Sequence, residues 1–138
     1  MIGLWIGLAL LLTVLPGHAG AQDETAAVRA VIVQQIDAFR RDDAATAYSH
    51  AAPAVQAMFP TPAVFMDMVR RGYPAVYRAT DYSFDPVKRH PGGRLLQRVR
   101  IEWNGGPPLL ATYLLGLQAD GEWKIEGVVL AKDRRIGI

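Results

Sequence analysis

Leu95-Leu96-Gln97-Arg98-Val99-Arg100-Ile101-Glu102-Trp103 is the stretch that decides the fold class. Leu95, Val99, Ile101 and Trp103 fall on one side of an extended chain, with Gln97 among them. Arg98, Arg100 and Glu102 fall on the other, and Leu96 is the apolar exception. Strict alternation over nine residues is the period of a strand with one face covered and one wet. Downstream, Asn104-Gly105-Gly106-Pro107-Pro108 reads as a loop. Leu109 to Leu117 is a second long strand, more uniformly apolar, and so expected to be central and covered on both faces. Asp120-Gly121 is a hairpin turn, and Trp123 to Leu130 is the next strand. The tail from Lys132 is charged and expected to fray. Upstream, His90-Pro91-Gly92-Gly93 reads as a turn and Tyr82 to Phe84 as a short strand.

Before Ala79 the period changes to that of helices. Val28, Val31, Ile32, Ile36 and Phe39 recur at three- and four-residue steps, which predicts an amphipathic helix ending near Arg41. Gln22 to Thr25 is a polar lead-in, and Asp23, Glu24 or Thr25 can cap that helix. Asp42 or Asp43 caps a second, short helix through Ala51. Pro53 starts a third turn at the position where its missing N–H is not needed. Thr61-Pro62 opens a further helix, and Gly72 is expected to close it behind Arg70 and Arg71. Helices first and antiparallel strands afterwards indicate an α+β fold, with the N-terminal helices packed on a curved, cone-like antiparallel sheet.

The first 21 residues carry a different message. Ile2 to Leu15 is apolar except for Thr13, Pro16-Gly17 breaks the run, and Ala19-Gly20-Ala21 supplies small residues at both ends. This is the pattern of a cleaved secretory signal, with the cut between Ala21 and Gln22. Its n-region has no Lys or Arg, so an uncleaved anchor is the competing reading, although about 14 apolar residues fall short of the ~20 needed to span a bilayer. Residues 22–138 then form one domain, periplasmic or secreted, with no membrane association after cleavage. The sequence has no cysteine, so no disulfide supports it. A formal charge of +2, with no clustered basic face, gives no argument for a nucleic-acid partner.

Three segments carry a family resemblance: Ala27–Phe59 (AVRAVIVQQIDAFRRDDAATAYSHAAPAVQAMF), Phe65–Arg78 (FMDMVRRGYPAVYR), and Leu95–Trp103 together with Asp120–Asp133 (DGEWKIEGVVLAKD). The chain resembles the bacterial family catalogued as domain of unknown function 4864, over about Thr25 to Asp133. Its helix–strand order is also similar to the cone-shaped superfamily named for nuclear transport factor two, whose SnoaL-like members belong there. That likeness implies helices laid across a strongly bent sheet. Neither resemblance brings a function, because one fold hosts many activities.

Few residues point to catalysis. His50 and His90 stand far apart, without cysteines or a ligand spacing, so no metal and no cofactor is expected. Ser49 and His50 are adjacent, and neighbours on a helix do not face each other. Acid–base work needs a carboxylate or His tuned by burial. Asp67, Asp81, Asp85, Glu102, Glu126 and five tyrosines are available, yet most also read as caps or solvated charges. No catalytic residue is assigned.

Arg70-Arg71-Gly72-Tyr73-Pro74-Ala75-Val76-Tyr77-Arg78 is the most unusual local chemistry. Tyrosine offers an apolar face and a hydroxyl, and arginine offers a fork for carboxylate or phosphate. Tyr73, Tyr77 and Arg78 are therefore the expected ligand-facing residues, for a small amphipathic or anionic molecule. The same side chains also serve as lid packing and as charge at a helix end. The expected function is non-catalytic binding of such a ligand, or of a protein of unspecified kind, in the cell envelope. The alternatives are a cofactor-free acid–base enzyme of isomerase or dehydratase type and a structural interaction module.

Overall fold

The computed structural model describes residues 17–136. The apolar run of the expected signal lies outside the described residues. The chain forms α1 (Gly17–Arg40), α2 (Ala44–Ser49), α3 (Pro53–Met58), α4 (Pro62–Gly72) and α5 (Pro74–Tyr77). Strands β1 (Ala79–Phe84), β2 (Lys88–His90), β3 (Arg94–Trp103), β4 (Leu109–Leu117) and β5 (Trp123–Lys132) follow. The strands make one antiparallel sheet in the order β1-β3-β4-β5, with β2 also paired to β3. The fold class is thus α+β, with every described α-helix before the sheet.

The alternation of β3 is realised as expected. Leu95, Gln97, Val99 and Ile101 are buried, and the residues between them are half-buried. Ala111, Tyr113 and Leu115 of β4 and Trp123 and Ile125 of β5 continue that inner face. Against it lies α1, which buries Val28, Ile32, Ile36 and Phe39 at helical spacing. Gln97 stays in this core because its hydrogen bonds are made. Its Oε1 accepts from Arg29 Nε at 3.0 Å, and its Nε2 donates to Asp85 O and Arg98 O at 2.6 and 2.8 Å. The Tyr113 hydroxyl is also buried, without a partner among the described residues, and burial pushes its pKa up.

Several expectations are corrected. Helix α1 begins at Gly17 and runs through the Asp23–Thr25 segment, which therefore does not cap it. Alanine-rich sequence propagates a helix easily once it has formed. At its other end, Asp43 N donates to Ala38 O and Asp42 N to Phe39 O, with Asp42 at φ +52°. This is the six-to-one and five-to-two closure that usually carries glycine at the left-handed position. Asp43, not Asp42, then caps α2 by accepting from Thr46 N.

Gly72 does not terminate α4; it is the last helical residue, and Tyr73 ends the helix at φ −134° and ψ 50°. Pro74 is the physical cause, since its ring pushes the preceding residue out of the helical region. The chain then makes one more helical turn, α5, before β1. His90 belongs to β2, a strand missing from the sequence reading because all three of its residues are exposed. The face of β4 away from α1 is only half-buried at Leu110, Thr112 and Leu114, so the strand is fully covered on one side alone.

The tail is also tied down as far as Arg135. Asp133 is buried, and its carboxylate meets Arg135 Nε at 2.9 Å and Arg100 Nε at 3.5 Å. Arg135 reaches Asp85 at 2.8 Å, and Asp85 also pairs with Arg98 at 3.3 Å. These pairs lie on the outer face of the sheet and join its edge at β1–β2 to the end of β5.

Ile36 has no solvent exposure. Ile36→Ala is expected to lower stability in urea melts by about 2–5 kcal/mol, the range for emptying an enclosed core position. A loss below about 0.5 kcal/mol is the size of a surface change and contradicts this seating of α1.

Candidate functional site

Helix α1 covers only part of the inner sheet face. β5, against which α1 packs, is an edge strand, and the connection from α2 to α3 covers part of that edge. Ile125 N donates to His50 O and Ala52 N to Ile125 O, both at 2.8 Å, in a parallel bridge at Ala51. Past this bridge the pairing with β4 shifts between Leu114 and Leu115, leaving Glu126 as an extra residue on β5. A Cβ on Gly116 would meet Oε1 at the end of the Glu126 side chain, which would have to shift to admit it. Arg94 Nε pairs with the other carboxylate oxygen at 2.7 Å.

The space between β5, α1, α3 and α4 is not filled. It is a half-open cavity of about 230 Å³, lined mainly by Phe39, Val55, Phe59, Met68, Val69 and Val128. Helix α3 forms one wall and buries none of its own residues. Its position comes from polar contacts at one end. Tyr48 Oη donates to Phe59 O at 2.7 Å, with Gln56 O at 3.2 Å, and Gln56 Nε2 donates back to Tyr48 O at 2.9 Å. Met58, on the same wall, is 67% exposed, which for a large apolar side chain marks an opening.

The structure separates the three residues expected to meet a ligand. Tyr73 lines the cavity. Tyr77 and Arg78 border a different, open depression with Arg70, Trp103 and Asn104. Tyr77 is buried, and its hydroxyl donates to Asp42 Oδ1. Arg78 donates to both oxygens of Asp42, at 2.8 and 3.1 Å, and to Phe39 O at 2.8 Å. Its guanidinium also stands 4.1 Å from the centre of the Tyr77 ring, with that of Arg70 on the ring at 5.6 Å. Tyr77 and Arg78 thus hold the C-terminus of α1, where positive charge and donors suit the free carbonyls.

The other polar groups are engaged locally. Asp67 pairs with Arg70 and Arg71 along α4, and Ser49 Oγ donates to Thr46 O at 2.6 Å. Burial, and after it the nearby Lys124, pushes the His50 pKa down. Among the described residues, no three His, Cys, Asp or Glu side chains gather as a metal site, and no helix is long and apolar enough to cross a membrane. The cavity lining contains one acidic residue, Glu126, which is paired with Arg94, and no histidine. Gln35, which also lines the cavity, is absent from the expected site because it reads as an ordinary helical glutamine.

The family model described as domain of unknown function (DUF4864) matches residues 21–138, and the chain belongs to that family. No curated protein and no solved structure matches it.

Hydrogen bonds from Tyr77 first and Arg78 second hold the Asp42 carboxyl below the usual carboxylate range. A lowered folded-state pKa gives stability that is present above the unfolded-state value, near ~4, and lost as pH falls through the folded one. Asparagine tolerates the same left-handed backbone. The difference in melting temperature between wild type and Asp42→Asn is therefore expected to be widest above about pH 5 and to close in acid. A difference that stays constant with pH means the carboxylate does not act as this clamp.

Proposed function

We propose that this member of the DUF4864 family is an exported, non-catalytic protein that holds a small apolar or amphipathic molecule in the cavity between α3, α4 and β5. The observation that carries this reading is the cavity itself: about 230 Å³ of mainly apolar-lined space beside the hydrophobic core. An engineered cavity of about 150 Å³ with a similar lining stays dry and binds benzene. The absence of an unpaired acid or base from the described lining favours binding over proton transfer. Tyr73 keeps its role as a ligand-facing residue in this reading, and the cone-like sheet of the larger superfamily would place the cavity at its open end.

Export enters through the apolar Ile2–Leu15 run and the Ala19-Gly20-Ala21 triplet, with the protein periplasmic or secreted. Cleavage after Ala21 would leave α1 running from Gln22 to Arg40, which retains every core residue of that helix.

Native mass spectrometry of protein released from the envelope of its own cells tests both parts. A chain starting at Gln22 and carrying an added small-molecule mass is expected. Val55→Trp, which places a large ring in the cavity from α3, should keep the fold and lose that added mass. A species retaining Met1 in the membrane fraction contradicts cleavage. A ligand mass that persists in Val55→Trp contradicts the cavity as its site. So does a wild-type protein that carries nothing and whose melting temperature ignores added toluene.

A further inference from the structure

The cavity lining includes a nearly buried side-chain amide. Gln35 projects from the buried side of α1 and is 3% exposed. Its Nε2 donates to Ala47 O at 3.1 Å, which fixes the amide with nitrogen toward α2. Among the described residues nothing donates to Gln35 Oε1, an acceptor with two lone pairs. The lining also includes Phe39, Phe65, Val69 and Val76, and the described lining holds no Lys, Arg or His.

We infer that the cavity selects a neutral apolar molecule bearing one hydrogen-bond donor, a hydroxyl or N–H, which is read by Gln35 Oε1. This inference rests on the ligand-binding reading above and narrows its chemistry. A purely apolar guest would leave the amide oxygen dry and unpaired, a loss equivalent to roughly tenfold in affinity or more. A carboxylate fits worse. At Gln35 Oε1 it would set acceptor against acceptor, and it would bury a charge where the described lining offers no cation. The arginines of the Arg70–Arg78 segment do not correct this, because Arg78 is held by Asp42 in the separate depression. The anionic ligand expected from that segment is therefore not the one this cavity suits. At about 230 Å³ the space takes a six-carbon ring with small substituents.

Calorimetric titration of the mature protein with toluene, p-cresol, 4-methylanisole and 4-methylbenzoate separates the possibilities. The first three share a ring and a methyl group, but only p-cresol can donate. In the wild type, p-cresol should bind roughly tenfold more tightly than 4-methylanisole, and 4-methylbenzoate should bind most weakly. In Gln35→Met, a substitution of similar volume, the affinity ratio of p-cresol to toluene should fall by about tenfold. Using a ratio cancels any general weakening of the variant. Equal binding of p-cresol and 4-methylanisole, or tighter binding of 4-methylbenzoate, overturns the donor inference. So does a ratio unchanged within about twofold in Gln35→Met. In each of these outcomes the cavity still binds, so the proposed function stands. If none of the four probes binds the wild type, both fall together.

Discussion

The seating of α1 on the inner face of the sheet is the constraint from which the rest of the structure follows. Val28, Ile32, Ile36 and Phe39 can leave water together only against a surface of matching shape. The alternate residues of β3, β4 and β5 provide it. Each such side chain contributes about 1.5–3 kcal/mol when fully buried. A straight helix cannot cover a whole sheet, however, and α1 leaves part of the edge strand β5 uncovered although it packs against it. The remaining helices fill that gap. They are short, α3, α4 and α5 start with prolines, and one backbone bridge at Ala51 ties the α2–α3 connection to β5. The cavity is the space this patchwork leaves.

The C-terminus of α1 shows how the seating is locked. A left-handed residue must end the helix, and here it is Asp42 where glycine is usual. The strain of that choice has a local return, because the aspartate side chain receives the Tyr77 hydroxyl and the Arg78 guanidinium. Arg40 adds a further tie, from its Nε to Ala79 O at 2.8 Å, at the start of β1. Tyr77 and Arg78, at the end of the Arg-rich segment, clasp the end of α1 just before the sheet begins. Tyr73 escapes that role because Pro74 turns the chain between it and Tyr77, leaving it on the cavity side.

What the sequence made legible was local periodicity. The alternation in Leu95–Trp103 and the heptad-like spacing from Val28 to Phe39 each report one buried face, and both faces were read correctly. The Thr61-Pro62 start of α4, the Pro53 start of α3 and the Asp120-Gly121 turn also follow from chemistry within a few residues. Features that depend on distant partners were not legible. The exposed strand β2 has no pattern to show, and Asp133 is ordered by Arg100 and Arg135 on the outer face of the sheet. The cavity draws its lining from α1, α3, α4 and β5, with Gln35 and Val128 more than 90 positions apart, so no window of sequence contains it.

A cavity left by short helices matters for function only if molecules enter it. Three methionines report on this directly. Met58 and Met68 line the cavity, and Met66 is buried nearby outside its lining. Methyl NMR of the ε-carbons under increasing xenon pressure measures entry of a small apolar guest. Saturable shifts at Met58 and Met68, with Met66 nearly unmoved, are the predicted result. Small, linear and equal shifts at all three would mean that xenon only brushes the surface, and would contradict an accessible binding cavity.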